Sequence, residues 1–212
     1  MRRDASNQVR GALKVFGIVL PPGRLATFER LAREHLAGRE DLSVFIEPLL
    51  AAWRTLGEQV AILDKRLRQA ANEHQVVKTL MTAPGVGPLI GMAYVATIDD
   101  PNRFAKSRNV GAYLGLAPRR FQSGEMDCQG SISKCGDGLL RHYLYEAAGV
   151  LLTRSRRSNP LKTWGLQLAK RIGKSKAKVA VARKLAIILH CMWRTGEAFR
   201  WEPVAAPPHR NH

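Results

Sequence analysis

Ser133 lies between Ile132 and Lys134 in the run "GSISKCGDGLLRHYL", Gly130 to Leu144, a serine beside a cation just ahead of an apolar, helix-like segment. A serine hydroxyl attacking a phosphodiester needs the developing negative charge offset and the phosphate held in line. A helix N-terminus together with Lys134, Arg141, Arg119 and Arg120, all near in sequence, would meet both needs. The same position also suits a serine that only caps a helix or closes a turn. No base stands beside it in sequence, so residue type and spacing favour the cap over the nucleophile. Ser131 and Ser123 have weaker claims.

Other candidates for chemistry are thinner. Cys128, Cys135 and Cys191 lack framework spacing, which fits a reducing compartment rather than a disulfide scaffold. Cys128 and Cys135 with His142 lack the paired C-x-x-C knuckles of a zinc site. Gly173-Lys174-Ser175 is not a phosphate-binding P-loop, because Leu168 stands where the earlier glycine is required. In "APGVGPLIG", Gly85 and Gly87 strip side chains from a turn and would let a phosphate reach backbone N–H groups at the start of the next helix. This pattern is like a helix-hairpin-helix, and equally like a plain helix-helix turn.

Net charge narrows the partner. The chain of 212 residues has 34 Lys+Arg against 17 Asp+Glu, a formal charge of +17. Such a surplus repels itself unless a polyanion neutralises it, so a nucleic acid leads over a basic protein with no such partner. Near the C-terminus the cations concentrate: Lys174, Lys176, Lys178, Arg183 and Lys184 flank an apolar face of Ala177, Val181, Leu185, Ile188 and Met192. That pattern predicts a basic amphipathic helix facing a nucleic-acid backbone. The N-terminus has no continuous apolar run and so no secretory signal, which predicts a cytoplasmic chain. The uncharged segment Thr79 to Ile98 is broken by Pro84, Gly85, Gly87 and Pro88, which predicts a helical hairpin rather than a membrane span.

These residues must be held by helices. A first helix is expected to run to Pro21-Pro22-Gly23, and a second from Arg24 to about His35. Leu49, Trp53, Leu56, Val60, Leu63, Leu67 and Ala70 alternate four and three apart, the stripe of a coiled-coil seam. That stripe fits packing on the second helix and fits dimerisation equally well. Ser107 is placed to cap a helix through Leu114, "GLAPRRFQSGEMDCQGSIS" reads as a loop or short β-hairpin, and a helix follows from Asp137. The tail "EPVAAPPHRNH" reads as disordered.

The blocks "TAPGVGPLIGMAYVATI", "FAKSRNVGAYLGLAPR", "QSG", "GSISKCGDGLLRHYL" and "KAKVAVARKLAIILHCMW" resemble, in order and spacing over about Lys78 to Gly196, the C-terminal domain of the insertion-sequence 110 transposase family, which includes the 1111 subgroup. "NQVRGALKVFGIVLPPG" resembles the helix that follows the RuvC-like domain of those enzymes. The resemblance implies a mainly α fold: coiled-coil helices, then a helical transposase domain with a helix-hairpin-helix-like element and a short β-hairpin. It implies a remnant helix over 1–23, a coiled-coil region over 24–76, the serine-bearing domain over 77–202 and a disordered tail over 203–212.

It also implies a function. Family members join a RuvC-like nuclease domain with an Asp-Glu-Asp-Asp magnesium site, through a coiled coil, to a domain whose serine links covalently to DNA. They act as assemblies guided by a structured bridge RNA. The family serine maps to Ser133, and this makes the nucleophile the preferred assignment. The family's acidic residues precede the "NQVRG" block, where this chain has only Asp4; Asp99 and Asp100, beside Pro101, are no substitute. The expectation is therefore a truncated, homo-oligomeric transposase with no metal site of its own, which recombines DNA when another polypeptide supplies that domain. The other function class is a noncatalytic basic helical protein that binds DNA or structured RNA.

Overall fold

The computed structural model describes residues 2–21, 25–123 and 126–202, with the backbone alone at 25, 120–123 and 126–129. The tail 203–212 and the side chains of Arg120, Ser123 and Cys128 lie outside the described residues. The fold is mainly α. The helices are α1 (Arg2–Val15), α2 (Leu25–Leu36), α3 (Glu40–Glu73), α4 (Gln75–Met81), α5 (Pro88–Ile98), α6 (Arg108–Tyr113), α7 (Gly138–Thr153), α8 (Pro160–Ile172) and α9 (Lys174–Thr195). A single 3-10 turn, Pro101–Arg103, follows α5, and strands β1 (Pro118–Ser123) and β2 (Met126–Ile132) lie between α6 and α7. The chain divides into compact units at residues 1–66 and 67–212.

In the first unit, α1 ends well before Pro21. The Ile18 N–H bonds back to the Leu13 carbonyl and the Gly17 N–H to that of Lys14, which closes the helix after Val15. Val9, Leu13, Phe28, Ala32, Ile46, Leu50 and Trp53 form the buried core, with the rings of Phe28 and Trp53 5.1 Å apart. Trp53 thus packs on α2 within the chain. Further along α3 the seam opens to solvent: Val60 and Leu63 are 49% and 61% exposed.

In the second unit, α9 is the element on which α4, α6, α7, α8 and the 3-10 turn pack. Its buried face, Ala177, Val181, Leu185 and Leu189, meets Leu140, Leu144 and Leu151 of α7 in one core. Tyr94 of α5 is fully buried, and its hydroxyl donates to the Ala186 carbonyl at 2.7 Å. Burial pushes that phenol up from its ordinary value. Close packing also explains small residues: a side chain at Gly165 of α8 would meet Val181 and Leu152.

His190 locks α9 to the α5–α6 connection. The imidazole is fully buried, with Nδ1 2.9 Å from the Ser107 hydroxyl and Nε2 2.9 Å from the Pro101 carbonyl. Ser107 occupies the N-cap position of α6 but makes no side-chain cap bond, because its hydroxyl serves His190. Burial holds the imidazole below its ordinary value, outweighing the opposite pull of the hydrogen bond to Pro101. The unfolded histidine takes up a proton near about pH 6.5, before the folded one does. The contribution of His190 is therefore complete above that pH and is lost as the pH falls toward the depressed folded value. Melting temperature should fall between about pH 7 and 5 in the parent, and less steeply in His190→Gln; equal slopes would rule this out.

Candidate functional site

The serine loop follows directly from the β-hairpin. The strands β1 and β2 pair antiparallel, with Pro118 opposite Ile132 and an irregularity between Pro118 and Arg120. Backbone pairing continues beyond the sheet: the Ser133 N–H donates to the Ala117 carbonyl at 2.9 Å and the Lys134 N–H to that of Gly115 at 3.1 Å. The Ser133 carbonyl accepts from the Arg119 guanidinium at 3.2 Å. Ser133 is half-buried and Lys134 exposed.

Two glycines permit this approach. The turn that ends α6 places Gly115 at φ +66°, and a Cβ there would stand 2.2 Å from the Cys135 carbonyl oxygen. Gly136, at φ +70°, is matched in reverse, since its Cβ would lie 2.2 Å from the Tyr113 carbonyl oxygen. The two chain segments therefore touch backbone to backbone, which no larger residue allows. Lys134 itself has φ +57°, a conformation unfavourable for a non-glycine residue that the surrounding hydrogen bonds impose.

Arg141 has a role that sequence reasoning missed. Its guanidinium reaches back from α7 to the carbonyls of Leu114 at 3.1 Å and Cys135 at 2.8 Å. It ties the two glycine-bearing segments together through one terminal nitrogen, Nη1. The capping reading of Ser133 is also corrected. Asp137 is the N-cap of α7, its carboxylate accepting from the Leu140 N–H at 2.7 Å. A carboxylate therefore already occupies the positive end of that helix. Among the described residues, no hydrogen bond engages the Ser133 hydroxyl and no base contacts it.

The remaining predicted residues are divided by the fold. Gly85, at φ +82°, lies against α7, where a Cβ would meet the Ala147 carbonyl at 2.5 Å, so packing alone requires it. Gly87 is the N-cap residue of α5, and a Cβ there would meet nothing within 4 Å. The basic amphipathic helix is present as α9, which starts directly after Gly173 and buries Ala177, Val181, Leu185 and Met192 along one face. Lys178 turns to α7, its ammonium 5.0 Å from the Tyr145 ring. Lys184 lies 3.8 Å over the Trp164 ring of α8 and shares a groove with Lys176 and Arg183. Lys174 is exposed at the start of α9. Arg120 is described only in its backbone. Among the described residues, no three His, Cys, Asp or Glu side chains gather to hold a metal ion, and no helix is long and apolar enough to cross a membrane.

Residues 77–162 match the Transposase IS116/IS110/IS902 family. A Sinorhizobium fredii relative is 31% identical over 94% of this chain and 52% of its own length. The transposase for insertion sequence element IS1111A of Coxiella burnetii is 28% identical, over 92% of this chain and 55% of its own. The pilin gene-inverting protein of Moraxella bovis is 27% identical, over 76% of this chain and 52% of its own. The chain thus spans about half the length of these relatives.

Proposed function

Residues 77–162 are a transposase domain of the IS116/IS110/IS902 family, and on that premise we propose that this chain binds DNA and that Ser133 is the residue that joins to it. The observation that carries the proposal is the serine loop, fixed against Gly115 and flanked by Arg119 and Lys134. In the step proposed, the Ser133 Oγ–P bond forms as the P–O bond to the departing strand breaks. The serine proton passes to water or to a base brought by a partner, and the departing oxygen takes up a proton. Arg119 and Lys134 offset the charge on the phosphoryl oxygens.

Partners follow by the same reasoning. A bridge RNA is a second polyanion that the +17 charge would accommodate. Self-association is supported by Val60 and Leu63, apolar and exposed on α3. The proposal also takes in a magnesium-bearing nuclease domain, supplied to the assembly by another polypeptide, as the resemblance implies. The second reading, a noncatalytic nucleic-acid binder, is supported by the +17 charge and the basic helix α9 without any chemistry at Ser133.

Both readings share a binding prediction. If roughly six to ten phosphates are neutralised, affinity for a DNA duplex should fall by about three to five orders of magnitude between about 50 and 200 mM salt. Fluorescence anisotropy across that range checks it, and affinity that ignores salt would sink both readings.

A further inference from the structure

A groove of about 720 Å³ lies between the end of the hairpin and helices α8 and α9. Its volume falls in the range of small-ligand sites. Trp164, Ile172, Val179 and Ile187 supply an apolar surface; Lys176, Arg183 and Lys184 supply cations, and among the described residues no acidic one lines it. Lys184 is held there by the Trp164 ring, with its ammonium 3.8 Å from the ring centroid.

We propose that this groove takes one unstacked nucleotide of single-stranded DNA, its base against Ile172, Val179, Ile187 and the Trp164 ring surface that Lys184 leaves uncovered, and its phosphates toward Lys176, Arg183 and Lys184. A nucleotide is the ligand that joins a flat apolar ring to an anion, and base–aromatic stacking beside a basic track is how single strands are held. A base inside a duplex cannot enter, because it is stacked and paired. An apolar peptide would leave the lysines and arginine without counter-charge.

The position of the groove gives it a role. Ile132, the residue before Ser133, lines it, as do Leu116 and Pro118, which flank the Ala117 carbonyl that accepts the Ser133 N–H. A nucleotide seated there lies next to the serine loop and would hold the strand being cut or exchanged. That role rests on the DNA-joining function proposed for Ser133, whereas the binding itself does not.

The test uses the full chain and a single-stranded oligonucleotide carrying 5-iodouracil, with a duplex of the same sequence as the control. Photocrosslinks should fall in the tryptic peptide Thr163–Lys170, which contains Trp164. Trp164→Leu keeps an apolar side chain while removing the ring, and should weaken single-strand binding roughly tenfold while duplex affinity stays at the parent value. Lys176→Gln, at an exposed position, should reduce the single-strand salt slope by about 0.7. Crosslinks confined to other peptides, or both variants binding single strands as the parent does, would overturn the groove while leaving duplex binding intact. Loss of both single-strand and duplex binding in the parent would overturn the proposed function as well.

Discussion

Gly115→Ala is expected to detach the serine loop while leaving the rest of the second unit folded. A left-handed backbone alone costs an alanine about 1–2 kcal/mol. Its Cβ would also stand 2.2 Å from the Cys135 carbonyl oxygen and 2.5 Å from the Cys135 nitrogen. Both are backbone atoms, so no side chain can rotate away and the Ser133–Gly136 segment must move. The Lys134 N–H to Gly115 and Ser133 N–H to Ala117 bonds should lengthen together, and amide exchange at both residues should rise toward that of free loops. A shift near 1 Å is enough to cost roughly a hundredfold in any chemistry at Ser133. Gly196→Ala is the control, since that glycine has φ +72° but a Cβ would meet nothing within 4 Å. Equal exchange rates at Ser133 and Lys134 in the two variants would show that the close approach does not hold the loop.

What the sequence made legible was local. The glycine-flanked turn before Pro88, the helix start at Asp137 and the apolar face of α7 follow from punctuation and period, and each is present. Contacts between distant segments left no such trace. The bond from Ser107 to His190 spans 83 residues, and local rules could offer Ser107 only a cap. Arg141 reads as one more cation in a basic chain until its guanidinium is seen on the carbonyls of Leu114 and Cys135. Gly85 was legible as a turn glycine, but not as one pressed on Ala147. Position carried one clue: Asp137, four residues after Ser133, caps as well as serine by residue type and lies immediately before α7.

That cap sharpens the test of Ser133. If Ser133 were a helix cap, Ser133→Ala would lower stability by about 0.5–2 kcal/mol. The cap is Asp137, so that loss is expected in Asp137→Ala, and Ser133→Ala should melt as the parent does. On the proposed function its effect should fall on chemistry alone, because without the Ser133 hydroxyl no Oγ–P bond forms and the covalent product is lost.

The most direct measurement is mass-spectrometric mapping of the covalent protein–DNA adduct formed when the chain is given insertion-element DNA together with the nuclease domain and bridge RNA that the proposed function invokes. Ser123, Ser131 and Ser133 all lie in the tryptic peptide Phe121–Lys134, so fragmentation of that peptide separates the candidates. The account predicts a nucleotide on Ser133, retained in Ser131→Ala and absent in Ser133→Ala at an unchanged melting temperature. A nucleotide on Ser131 or on any other residue, or an adduct that survives Ser133→Ala, would contradict it.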